Sequence, residues 1–154
     1  MTYEEAIDAM FKTFADAWNA DASAIVGYLP DVRYEGVPDD EDDDKRHAKQ
    51  SKYWARLTVR NAVERQATLG TPHGPGTHEY ESFGTVSVQL FLPKKDGRAL
   101  VVGRRLGMLA RNAFRGVASG DEVWYTDATL RERNPEDRWY RIDVTATYRF
   151  TETV

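Results

Sequence analysis

At 154 residues the chain is long enough to bury one core without disulfide or metal support, and it has no cysteine, which excludes disulfides, thiolate metal sites and cysteine nucleophiles. Its 41 % hydrophobic and 30 % charged content is that of an ordinary globular protein, and a formal net charge of −4 gives no bulk reason to expect nucleic-acid binding. The longest apolar runs, such as Ala99 to Gly103, are too short to span a bilayer, and Thr2-Tyr3-Glu4-Glu5 lacks the regions of a signal peptide, so a cytoplasmic product with no membrane contact is expected.

The first element is an amphipathic helix. Tyr3, Ile7, Met10, Phe11, Phe14 and Trp18 recur at spacings of three and four, with Glu5, Asp8, Lys12 and Asp16 on other faces. Thr2 is placed to cap it, with Glu5 three residues on to complete a capping box. A short strand-like stretch, Val32 to Tyr34, follows. After Pro38 come six acidic residues in a row: Asp39, Asp40, Glu41, Asp42, Asp43 and Asp44. Such a run repels itself and holds no apolar residue, so it is expected to be a solvated loop.

From Tyr53 the period changes to two. Tyr53, Ala55, Leu57 and Val59 alternate with Trp54, Arg56, Thr58 and Arg60, as in a strand with one buried face. Val86, Val88, Leu90 and Leu92 repeat the pattern until Pro93. Between them the Gly/Pro-rich stretch Gly70 to His78 cannot hold a regular ladder, so a long projecting loop, Gly70 to Ser82, is expected. Lys94-Lys95-Asp96-Gly97 turns into a second helix over about Arg98 to Arg115. Its buried face carries Ala99, Val102, Leu106, Leu109, Ala110, Ala113 and Val117; Arg104, Arg111 and Arg115 fall within about 40° of one another on the opposite side. Two strands end the chain, Val123 to Arg131 and Trp139 to Thr151, joined by a turn at Asn134-Pro135-Glu136-Asp137. Strands joined by turns pair antiparallel, and two helices cover one face of the sheet. The expected fold is α+β, an antiparallel sheet with both helices on one side, in a single domain over residues 1–154.

No stretch carries a recognisable catalytic set. Contiguous aspartates cannot all point inward, and the alternating pattern of a calcium loop is absent, so the acidic run reads as an electrostatic contact rather than a metal site. His73 and His78 share the Gly/Pro loop with Glu79 and Glu81, chemistry sufficient for zinc or a proton shuttle, at a spacing that matches no ligand motif. No serine lies in a nucleophile elbow, and Gly103 and Gly107 lie inside a helix rather than in a phosphate-binding turn. The arginine stripe reads either as a solvated helix face or as a contact surface for acidic groups, a neighbour's loop or a phosphate backbone. A chain with both a basic ridge and an acidic loop is self-complementary, and head-to-tail contact through a closing rotation makes a ring.

The order of elements and several of their sequences resemble the tail terminator (tail completion) proteins of long-tailed bacteriophages and prophages. The likeness runs through the helix ending near Trp18, Tyr53-Trp54-Ala55-Arg56-Leu57-Thr58-Val59, Arg65-Gln66-Ala67-Thr68-Leu69-Gly70 and the strand Phe83 to Pro93. It continues in the lysine-glycine turn, the Ala/Leu helix ending at Phe114-Arg115-Gly116, and Tyr148-Arg149-Phe150. The resemblance implies a non-enzymatic structural subunit of the virion tail, assembled in the host cytoplasm and needing no cofactor. It implies a ring, generally of six copies, that caps the head-proximal end of the tail tube, stops tube growth and offers a surface to the neck. The partners implied are other copies of the chain, the tail tube protein, a head–tail connector or neck protein, and genomic DNA crossing the lumen without sequence-specific binding. On this chain the docking elements would be the acidic loop Asp39 to Asp44 and the loop holding His73, His78 and Glu79, with Arg104, Arg111 and Arg115 as the intersubunit or lumen surface. The alternatives are another head–tail adaptor, a metal-dependent hydrolase built on the acidic run with His47, and a nucleic-acid-binding module, against which the aspartate loop argues.

Overall fold

A computed structural model describes residues 1–36, 52–67, 78–115, 118–119 and 122–153. Helix α1 spans Tyr3–Val26, longer than the aromatic stripe indicates. The capping box forms as expected: Glu5 N–H donates to Thr2 Oγ1 at 3.2 Å and Thr2 N–H to Glu5 Oε2 at 2.8 Å. The fully buried line is Ala6, Met10, Phe14, Trp18 and Ala22, a strict i, i+4 row, while Tyr3, Ile7 and Phe11 sit half-buried beside it. The helix stops at Gly27, whose φ of 94° suits a residue without Cβ and lets its N–H reach Ser23 O at 2.8 Å. Trp18 Nε1 donates to Pro30 O at 3.0 Å, which fixes the chain's turn from helix into sheet.

The strands are β1 (Asp31–Tyr34), β2 (Trp54–Gln66), β3 (Glu79–Pro93), β4 (Ala118–Ser119), β5 (Val123–Glu136) and β6 (Trp139–Thr153), in the sheet order β1-β2-β3-β6-β5-β4. Helix α2 (Ala99–Ala113) lies between β3 and β4 in sequence. The fold is α+β, with both described helices on one face, but the sheet is not antiparallel throughout. β1 runs parallel to β2, in register from Asp31 opposite Trp54 to Tyr34 opposite Leu57; every other pair among the described residues is antiparallel. Parallel neighbours need a long connection, and residues 35–53 separate the two strands in sequence.

The alternation read from β2, β3 and β6 holds. Ala55, Leu57, Val59, Val86, Val88, Leu90, Leu92, Ile142, Val144, Ala146, Tyr148 and Phe150 form the helix-facing core. Aromatic rings join the layers: Phe14 stacks on Trp18 (5.2 Å between centroids) and on Phe114 (6.2 Å), and Phe114 meets Tyr125 at 5.0 Å. Burying each such ring contributes roughly 1.5–3 kcal/mol. Helix α2 lies close to the sheet because Gly103 faces Leu92 and Gly107 faces Leu130 and Ile142 with no side chain between them.

Two loops are shorter than expected. β3 begins at Glu79, and Glu79 to Ser82 pair with β6 across Thr153 to Phe150, so the projecting loop does not extend to Ser82. Ser82 is buried beside the core. The last hairpin turns at Asp137 and Arg138 alone, with Asn134, Pro135 and Glu136 in β5; Asp137 takes a φ of 45°, which aspartate tolerates.

Candidate interaction surface

The two sheet faces differ in chemistry. On the face away from the helices, register brings three rows together. Trp54, Phe91 and Arg141 are opposite one another; Arg56, Gln89, Asp143 and Arg131 make the next row; Phe83, Arg149 and Trp124 lie toward the far end. Between these ends runs a belt of hydroxyls from Thr58, Ser87, Thr145 and Thr129 to Thr85, Thr147 and Thr126.

One end of this open face is an aromatic–arginine cluster. The Trp54 and Phe91 rings are parallel at 4.0 Å, with Trp139 edge-on to both. Arg33 lies 4.8 Å over Trp54, and Arg56 and Arg141 each lie 5.4 Å from the Phe91 centroid. These guanidiniums lie over the apolar rings, which explains how Phe91 is buried on the face opposite the described helices. Arg56 Nε donates to Gln89 Oε1 at 2.7 Å. Asp143 accepts from Arg133 Nε at 2.9 Å and Arg141 Nη2 at 3.2 Å, and Arg141 Nη1 reaches Glu136 at 2.5 Å. At the other end Arg65 covers Phe83 and pairs with Glu81 at 3.0 Å, and Arg149 covers Trp124.

The residues singled out from sequence are dispersed. Arg104 is tied to Glu132 of β5, Nε to Oε1 at 2.5 Å, which holds the Glu132 carboxyl below its usual range. Arg111 bonds Asn112 at 3.4 Å, and Arg115 is exposed past the helix end. Arg104 and Arg111 line a shallow groove of about 480 Å³ with Met108 and Leu130, so the ridge flanks a helix–sheet seam. Asp39 to Asp44, His47 and His73 lie outside the described residues. His78 Nδ1 is 3.1 Å from Gln66 Nε2 at the base of the β2–β3 arm, and Glu79 belongs to β3 rather than to a loop tip. Among the described residues no group of three or more histidines or carboxylates is placed to hold a metal, and no helix is long and apolar enough to cross a membrane.

The open face was visible in sequence as the polar half of each alternation. Its aromatic–arginine cluster was not, because it depends on which strands are neighbours. No known protein-family profile matches the chain. No curated protein matches it either. Solved structures do match. One is similar over 93 % of this chain and 94 % of its own, at a TM-score of 0.57 and 16 % identity, a likeness of fold alone.

Proposed function

We propose that the chain is a tail terminator subunit of a long-tailed phage or prophage, forming a ring, of six copies by that resemblance, that caps the head-proximal end of the tail tube and joins it to the neck. The observation that carries this reading is the open sheet face. Five strands present arginines, hydroxyls and ring edges over one broad surface, while both described helices and the core occupy the other side. Its charges are held in fixed positions by rings and neighbouring side chains, the pre-ordered polar surface that suits reversible subunit or tube contact. Guanidiniums engaged in this way also suit a lumen that DNA crosses, because phosphates meet partly satisfied donors and slide rather than stick.

The test is tube capping. Tail tubes assembled from the tube protein of the same phage or prophage genome, grown with and without this chain, would be measured by electron microscopy. The reading expects added density at one tube end and arrested growth; bare ends and unchanged lengths would overturn it.

A further inference from the structure

Helix α2 turns one face to the sheet and the other outward, and the outward face carries charge of one sign. Between Ala99 and Ala113 the helix holds three arginines, Arg104, Arg105 and Arg111, and no acidic residue. Val101, Arg104, Arg105, Met108 and Asn112 are exposed at helical spacing and so form a single stripe. Within it Val101 and Met108 are 48 % and 45 % exposed, and they stand one heptad apart, the repeat of a seam between two helices.

Beside this stripe lies the groove of about 480 Å³ between α2 and β5. Met108 and Leu130 make its apolar floor, since Gly107 brings the helix down onto Leu130; Ala128 and Thr129 line the β5 side. Arg104 and Arg111 stand along the helix on either side of Met108. The first is engaged, its Nε donating to Glu132 Oε1 at 2.5 Å. Arg111 Nε donates to Asn112 Oδ1 at 3.4 Å, a long bond that a carboxylate would replace with a shorter, charge-assisted one.

We propose that the stripe and groove dock an amphipathic helix of a partner protein. Its apolar side chains pack on Val101 and Met108, and its flanking carboxylates meet Arg105 and Arg111. Charge selects the occupant: a helix with three arginines and no acid attracts an acidic partner and repels the same helix of a second copy. A nucleic-acid backbone would meet the arginines too, but it would leave Val101 and Met108 in water and bring phosphate against the Glu132 carboxylate. The inference stands apart from the ring reading, since it requires one subunit and a partner.

The probe is a fluorescent alanine-based peptide of about 20 residues, with leucines at spacings of three and four and glutamates beside them, titrated against the full chain by anisotropy. The controls are the same peptide with lysine in place of glutamate and an isomer whose leucines are spread around the helix. The site predicts binding of the first peptide at least about tenfold tighter than of either control. Arg105→Gln with Arg111→Gln is expected to weaken it about tenfold, and Met108→Ser about threefold, with the thermal melts unchanged. Glu132→Gln releases Arg104 to the partner and is expected to tighten binding about threefold, a gain that a merely structural role would not give. Equal binding of the peptide and its isomer, affinity indifferent to the arginine substitutions, or no tightening by Glu132→Gln overturns the proposal. A lower oligomer mass for Met108→Ser by light scattering also overturns it, because a second copy would then be the occupant. So does a DNA duplex that binds more tightly than the peptide and is released by the same arginine substitutions.

Discussion

Gly84→Ala should be the most damaging of three glycine substitutions, and the structure gives the reason. A Cβ built on Gly84 lies 2.1 Å from the backbone oxygen of Arg60 and 2.5 Å from the Tyr148 hydroxyl. The first of these atoms belongs to the neighbouring strand, so no side-chain rotation relieves the contact; β2 and β3 must separate next to the bulge at Asn61–Val63. Overpacking of this kind costs about 1–3 kcal/mol, and the 3.0 Å hydrogen bond from Tyr148 to Asn61 adds about 1 kcal/mol if it is lost. Alanine restricts the unfolded chain and returns roughly 0.4–1 kcal/mol. With the hydrogen bond lost, the net expectation is about 1–3.5 kcal/mol. Gly103→Ala meets a side chain instead, Leu92 Cδ1 at 2.2 Å, and gains about 1 kcal/mol of helix propensity, so it should cost less. Gly107→Ala should cost least, because it meets the half-buried Leu130 at 2.6 Å. Urea unfolding of the three variants, read as midpoint and slope, measures the order. A Gly84→Ala cost below that of Gly107→Ala would refute the account of how these strands and helix approach.

Phe14→Ala, which opens a hole between α1 and Phe114, should cost about 3–5 kcal/mol by the same assay. Asp143→Ala leaves the mostly buried Arg141 with Glu136 as its one carboxylate among the described residues and should cost about 2–3 kcal/mol, whereas Glu132→Gln breaks a half-exposed pair and should stay within about 1 kcal/mol. Tyr53 Oη donates to Asp96 at 2.5 Å, and this bond, with the Arg98 N–H, holds the Asp96 carboxyl below its usual value. A lowered carboxyl stabilises above its unfolded pKa and loses that contribution as pH falls through its folded value. The stability gap between the native chain and Tyr53→Phe should therefore be level from about pH 5 to 8 and shrink below about pH 4, which acid titration of the two melts will show. If the open face makes the assembly contacts, Arg56→Gln, Arg131→Gln and Arg149→Gln together should lower oligomer size, while the triple change at Arg104, Arg111 and Arg115 should leave it intact; the reverse result, read by light scattering, would return the contact to the helix ridge.

The parts of the fold legible in sequence were those with a strong period. Leu57-Thr58-Val59, Val86 to Leu92 and Ile142 to Phe150 alternate cleanly because one face packs against the described helices and carries the core. Ala6 and Ala22 were missed in the core row of α1 because small residues carry little hydrophobic signal, although they lie where the helix is buried most deeply. The parallel pairing of β1 was not legible, since four residues carry no record of which strand they meet. Neither was β4, two residues paired to Trp124 and Val123. The turns were overestimated because Pro135 and the polar Glu79 to Ser82 read as breakers, while pairing with β6 keeps them extended. For the candidate surface, sequence reasoning selected arginines at helical spacing. Tertiary contact ties Arg104 to Glu132 and gathers other arginines, Arg33, Arg56 and Arg141, around Trp54 and Phe91.

The most direct measurement on the central claim is the mass of the purified chain by size-exclusion chromatography with light scattering over a wide concentration range. A subunit of 17.6 kDa that assembles into a ring should show a species of several subunits, six by the resemblance, growing with concentration and closed in negative-stain images. A mass of 17.6 kDa at every concentration, with no rings in the images, would contradict a self-assembling tail terminator.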